Sequence, residues 1–348
     1  MTLERRNRMA LVAAIALAGI GAAGAATPEG ATGGEKYTVR KLPLPGGPGP
    51  ILMDYIAFDP ATRTVWVPAG NTGAVDVVDT GTGTIRQIPG FPTTEMGTGE
   101  RKRRVGPSSV TIGDGTNYVG SRGDSKICAF DPKTFARGAC HALDSMPDGV
   151  AYVGATKEVW VTTPRDKSIR ILDAATLAEK QKLTFEGNPE GFAVDAKRGR
   201  FYTNLEDRDV TLAIDLKSRK TVATWKPACG EEGPHGLRAD PEAGQLFVAC
   251  SARVEVLDAA GSGAVLSSID TGDGVDDIDY SAATHRLYAG AARAGRLTIA
   301  SVDSAGKLSL AAAVETATGA RNPAVTGTGA AYLTHSAQGE LVVVEPAK

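Results

Sequence analysis

Short runs in which apolar and polar residues alternate recur along most of the chain. Asp54-Tyr-Ile-Ala-Phe-Asp-Pro-Ala-Thr-Arg-Thr-Val-Trp-Val, Glu190-Gly-Phe-Ala-Val-Asp-Ala-Lys-Arg-Gly-Arg-Phe-Tyr-Thr and His235-Gly-Leu-Arg-Ala-Asp-Pro-Glu-Ala-Gly-Gln-Leu-Phe-Val follow one plan. Each is an alternating strand, a turn of Asp, Pro and Gly, and a β-branched or aromatic second strand. A third strand follows in Ala74-Val-Asp-Val-Val-Asp79, Ser168-Ile-Arg-Ile-Leu-Asp173, Arg253-Val-Glu-Val-Leu-Asp258 and Glu340-Leu-Val-Val-Val-Glu345. Its closing acid starts a turn into a fourth strand such as Thr221-Val-Ala-Thr-Trp225. No segment of comparable weight shows the 3.6-residue period of a helix.

The plan returns roughly every 40 to 46 residues, a period that marks the blades of a propeller. Aligning the second strands puts blade starts near residues 54, 108, 148, 190, 235, 276 and 322. The expected fold is therefore all-β: one seven-bladed β-propeller of four-stranded antiparallel blades over residues 35–348. The last blade has three strands before Lys348, while Tyr37-Thr-Val-Arg-Lys-Leu-Pro43 has no partner of its own. Pairing the two closes the ring and removes the exposed edges of an open sheet. The 42 Gly and 19 Pro suit the many tight turns such a fold needs.

Ahead of the repeats, Arg5, Arg6 and Arg8 precede an apolar run from Met9 to about Ala26, ending in small residues before Thr27-Pro28. This is the pattern of a secretory signal peptide, expected over residues 1–26 with a flexible leader over 27–34. An uncleaved anchor is the alternative, but the Ala- and Gly-rich run falls short of the roughly 20 strongly apolar residues of a span. Every later apolar run is interrupted early by Gly, Pro, Asp or Asn, so no membrane span is expected in the mature chain. The expected location is periplasmic or secreted. Without residues 1–26, the remaining 35 basic and 39 acidic residues leave a net charge of −4, which gives no general attraction to nucleic acid or anionic lipid.

Four cysteines in an exported chain favour disulfides, and none has the paired spacing of a zinc site. Cys128 and Cys140 flank the turn Asp131-Pro132-Lys133-Thr134, which puts them on neighbouring strands. Cys229 precedes one blade's first strand and Cys250 ends its second. Of the three pairings four cysteines allow, 128–140 and 229–250 are expected.

The repeat register places one residue per blade just before the innermost strand: Asp54, Ser108, Asp148, Glu190, His235, Asp276 and Asn322. All seven are polar. Two residues further on stand Ile56, Val110, Val150, Phe192, Leu237, Ile278 and Ala324, which should pack between blades. Four carboxylates and an imidazole around one channel mouth either shift their pKa values or gather a cation. A divalent ion held by Asp148, Glu190 and Asp276 fits this set, with His235 as ligand or general base and Ser108 and Asn322 orienting a substrate. Glu190 and His235 are the candidate catalytic pair, and Asp277 is a reserve. The alternative is that these are ordinary polar residues of a wet mouth, since Pro107, Pro147, Pro189 and Pro234 precede ring positions as turn residues do.

One connection breaks the period, the 15 or so residues from Phe91 to Gly106, which carry Arg101, Lys102, Arg103 and Arg104. It lies on the ring's face, as a lid, an anion-contacting arm or a solvated loop. The other histidines are dispersed. His141 and His285 belong to outer strands or turns, and His335 lies after the last blade's second strand, near the ring face, either beside His235 or in a solvated loop. No GxSxG elbow, phosphate-binding Gly-Lys-Ser/Thr loop, CxxCH haem site or HExxH pair occurs.

The Asp-Pro or Asp-Ala turn, the Val-Trp-Val or Leu-Phe-Val strand and the closing Val-Asp-Thr or Leu-Asp-Ala resemble the YVTN-type β-propeller repeat of periplasmic YncE-like proteins. The resemblance covers roughly residues 35–348. It implies an extracytoplasmic propeller, and the same scaffold resembles both binding proteins and seven-bladed lactonases of the phosphogluconolactonase type. It also implies a test for single-stranded nucleic acid at Arg101 to Arg104, although that run has no neighbouring aromatics. The expected function is a scaffold that binds a small molecule, peptide or protein partner at its acidic mouth. A metal-dependent, lactonase-like hydrolase is the alternative.

Overall fold

Seven four-stranded antiparallel sheets follow one another in a computed structural model that describes residues 34–46, 49–99 and 102–347. The expected signal peptide, and the leader up to residue 33, lie outside the described residues. Blade one runs from Ala57–Asp59 through Thr64–Ala69 and Ala74–Asp79 to Ile85–Ile88. Blades two to six repeat that order from inner strands Pro107–Ile112, Val150–Val153, Pro189–Asp195, Pro234–Asp240 and Val275–Ser281. Blade seven takes Arg321–Val325, Ala331–His335 and Glu340–Pro346 from the end of the chain and its outer strand, Tyr37–Pro43, from the beginning. That last pairing is antiparallel, from Tyr37 opposite Pro346 to Pro43 opposite Glu340.

The turns between third and fourth strands explain why third strands end on, or are followed by, an acid. Oδ1 of Asp79, Asp131, Asp173 and Asp215 accepts from the backbone N–H groups two and three residues on. Such Asx turns satisfy donors that no strand partner reaches. Between blades, the apolar row interdigitates as one-sided strands require: Ile56, Val110, Val150, Leu237, Ile278 and Ala324 are buried, and Phe192 is half-buried.

Both expected disulfides form. Cys128 bonds Cys140 directly across adjacent strands of blade two, and Cys229 bonds Cys250 across the start and second strand of blade five. No described helix is long and apolar enough to cross a membrane.

Candidate functional site

Six of the seven ring positions, Asp54, Ser108, Asp148, Glu190, His235 and Asp276, line one cavity of about 600 Å³ at a mouth of the channel. Local backbone geometry puts them there. In blade four Pro189 pairs with Leu205 and Phe192 with Thr203, so the inner strand carries one extra residue at Glu190. The same bulge occurs at His235, Asp276 and Ser108. A bulge re-aims a side chain out of the sheet. The prolines before Ser108, Glu190 and His235 are therefore the first paired residues of inner strands, and not parts of the preceding turns.

Asn322 departs from the row. Only 2 % exposed and in the left-handed backbone region with φ 52°, it sits beneath the mouth and does not line it. Its Oδ1 accepts from the Asp277 N–H at 3.0 Å, while Nδ2 donates to Asp276 Oδ2 at 3.2 Å and Asp54 Oδ1 at 3.4 Å. Asn322 thus holds two ring carboxylates in place, where the sequence expectation had it facing a substrate.

A second row completes the wall. Inner strands begin at the mouth, so antiparallel second strands end there, and the residue after each second strand lines the cavity. Arg122, Glu206, Ser251 and Ser336 belong to this row. The sequence reading missed it, although the register that located the first row locates the second equally well.

Two arginines, Arg122 of this row and Arg321 at the start of the inner strand of blade seven, answer the crowding of carboxylates. Arg122 donates to Asp54 Oδ2 at 2.7 Å and also to Asp148, and Arg321 Nη1 stands 2.7 Å from Asp276 Oδ2. Burial raises the Asp54 carboxyl to about 6 against the pull of Arg122, with Asp148 and Asp276 adding to the rise. Burial on its own lowers the Arg122 guanidinium, but Asp54 and Asp148 more than reverse this.

Glu190 and Glu206 have no such partner. Neither is paired with a Lys or Arg among the described residues, and Glu190 Oε2 is buried without a hydrogen bond. Burial pushes the Glu190 carboxyl well above the usual carboxylate range, and Glu206, Asp148 and Asp276 push the same way. His235 Nδ1 lies 3.8 Å from Glu206 Oε1. One ligand atom from each of Glu190, Glu206 and His235 lies within 4.8 Å of the others, a grouping suited to a divalent ion. The grouping differs from the expected metal set: Asp148 and Asp276 are engaged by arginines, and Glu206 is the carboxylate that stands with Glu190 and His235.

The other candidates also find their positions. Asp277 turns from the mouth to Arg238, 3.1 Å away, and burial raises its carboxyl to about 6 despite that guanidinium. His335 is buried, with Nδ1 2.9 Å from Glu340 Oε1 and Nε2 donating to the Thr318 carbonyl at 3.1 Å, so it neither joins His235 nor lies in a solvated loop. His141 lies on the outer strand of blade two, and His285 in a turn of blade six with Nδ1 3.1 Å from Tyr280 Oη.

The long connection is a β-hairpin, Thr94–Met96 against Arg103–Val105, whose Met96, Arg103 and Val105 line the cavity. Lys102 and Arg104 flank Glu95 at 3.3 and 3.5 Å. Arg101 lies outside the described residues. Among the described residues the basic run is thus divided between an ion pair and the mouth, and presents no single cationic face. Tyr55 and Phe192 meet with ring centroids 5.9 Å apart and, with Val110, Val150 and Arg238, line a second space of about 270 Å³.

No protein-family model matches the chain, and no curated protein does. Solved structures do. A chain of the mitotic checkpoint complex is similar over 99 % of both chains, with TM-score 0.71 and 15 % identity. Streptogramin B lyase is similar over 89 % of this chain and 98 % of its own, with TM-score 0.70 and 12 % identity. Virginiamycin B lyase from Staphylococcus aureus is similar over 90 % of this chain and 100 % of its own, with TM-score 0.68 and 13 % identity. The fold is a seven-bladed β-propeller. At these identities the likeness extends to the fold and no further.

Proposed function

We propose that this protein is an exported β-propeller of the YVTN type that binds a small molecule in the mouth cavity. The observation that carries the reading is the convergence of seven blades on a cavity of about 600 Å³ whose wall holds polar atoms lacking partners, Glu190 Oε2 and Ser108 Oγ. Pockets of a few hundred Å³ with a few convergent polar groups are the usual form of small-molecule sites. Buried polar groups without partners are rare unless something else is to satisfy them. Export is supported by the two disulfides and by the leader pattern in the sequence. Ligand-observed NMR with a fragment library of neutral, cationic and anionic compounds tests the binding. Glu190→Gln and His235→Ala are expected to change the set of binders, and an identical set in both variants defeats the reading.

A metal-assisted hydrolase is the second reading, and the Glu190, Glu206 and His235 grouping favours it. An imidazole with two carboxylates suits zinc or manganese, and the unpartnered Glu190 oxygen fits a ligand awaiting its ion. Bound there, such an ion would polarise a substrate carbonyl. Two of the fold neighbours are lyases by name, and a histidine-to-alanine variant of virginiamycin B lyase, whose structure with quinupristin has the same fold, is catalytically inactive. His235→Ala is the variant to examine first, because His235 is the one imidazole of the grouping. Calorimetric titration of metal-stripped protein with zinc and manganese decides the point. Saturable binding lost in Glu206→Gln supports it, and no heat with either ion removes it.

A further inference from the structure

We infer that the occupant of the mouth carries an oxyanion, a carboxylate or a phosphate, on an apolar body, received by the half of the rim that the hairpin and blades two and three build. The inference rests on the mouth being a binding site.

Unsatisfied donors gather on this half. Arg103 of the hairpin and Arg165, just after the second strand of blade three, both line the cavity, and neither has a carboxylate partner among the described residues. Other cationic groups nearby are taken: Lys102 and Arg104 by Glu95, Arg122 by Asp54 and Asp148. Ser108 stands between the two free arginines in chain order, only 5 % exposed, and its Oγ is buried without a hydrogen bond. A guanidinium matches the planar fork of a carboxylate or the edge of a phosphate, and a hydroxyl completes the set by donating to the same oxygens. A buried hydroxyl left unsatisfied is a standing cost that an incoming acceptor removes.

Apolar side chains line the cavity as well. The three methionines among the described residues, Met53, Met96 and Met146, all line this cavity, one just before blade one, one on the hairpin and one just before blade three. Unbranched thioethers adapt to ligands of irregular shape. Glu190 and Glu206 of blade four and Glu232 before blade five also line the cavity, repel an anion and so set its direction in the site.

The test uses three probes that share one body: 3-phenylpropanoate, 2-phenylethyl phosphate and 3-phenylpropanamide, titrated into the whole protein. At least one anion is expected to bind about tenfold or more tighter than the amide, and whichever anion leads identifies the oxyanion. Arg103→Gln with Arg165→Gln should abolish that preference while leaving the affinity for the amide unchanged, and Ser108→Ala should weaken the leading anion only. Both arginines are exposed at the rim, so the fold survives their loss. An amide that binds as tightly as the leading anion, a preference that persists in the double variant, or no binding by any probe overturns the inference. The mouth reading stands or falls separately, on whether neutral and cationic fragments respond to Glu190→Gln.

Discussion

Gly191 packs so closely on His235 that a Cβ at Gly191 would lie 1.9 Å from the His235 carbonyl oxygen. The contact joins the inner strands of blades four and five at the point where Glu190 and His235 turn into the mouth. Gly236, next to His235, is as tightly placed, with Asp277 Oδ1 2.3 Å from where its Cβ would be. Two glycines, each following a ring residue, thus let successive blades converge closely enough to share one site.

Gly191→Ala must push two backbones apart. The expected loss is about 1–3 kcal/mol of stability, the range for overpacking, together with displacement of Glu190 from His235. Gly154→Ala is the control, because its Cβ would meet only the Tyr152 ring at 3.4 Å. Urea denaturation of both variants compares them.

Removing Arg122 leaves Asp54 and Asp148 facing one another without their shared cation. Arg122→Met is expected to cost about 3–5 kcal/mol at pH 7, the range for breaking one side of a buried ion pair. The loss should be smaller at pH 5, where Asp54, already raised to about 6, is protonated. Denaturation of wild type and variant at the two pH values measures the difference.

Mild acid should stabilise the native protein. Burial raises Asp76 to about 6 against the hydrogen bond from Gln87, and Asp54 and Asp277 reach a similar value. An unfolded aspartate titrates near 3.9, so between roughly 4 and 6 the folded chain binds more protons than the unfolded one. The stability contributed by these groups therefore rises as pH falls from 7 through 6. Thermal melts at pH 7 and pH 5 should show a higher Tm at pH 5, and Asp76→Asn should flatten part of that slope. A Tm that falls steadily over this window contradicts the burial argument.

Each disulfide limits the unfolded chain by closing a loop. Replacing Cys229 and Cys250 by Ala, with a sequence separation of 21, should cost about 3 kcal/mol; the 128–140 pair, with a separation of 12, should cost roughly half a kcal/mol less. Urea denaturation of the two double variants tests both the size and the order.

The repeat made the fold legible before any coordinate. Strand alternation, the Asp turns and the orphan segment Tyr37–Pro43 each follow from local rules, and they agree across seven copies, so blade number, closure and both disulfides were readable from residue order. The ring positions were readable for the same reason, because a repeat places equivalent residues at equivalent heights about one axis.

Which ring residues share charge was not readable. Asp148 and Asp276 look like Glu190 in sequence, but Arg122 and Arg321 reach the first two and, among the described residues, no guanidinium pairs with the third. Both arginines stand at positions the repeat supplies in every blade, but which carboxylate each reaches does not follow from the repeat, and the hairpin that brings Arg103 and Met96 to the cavity interrupts it. The burial of Asn322 and His335 likewise depends on neighbouring elements and not on their own segments. Periodicity, being local, determined where the mouth lies; electrostatic partnership depends on long side chains meeting through space, and only the folded ring decided it.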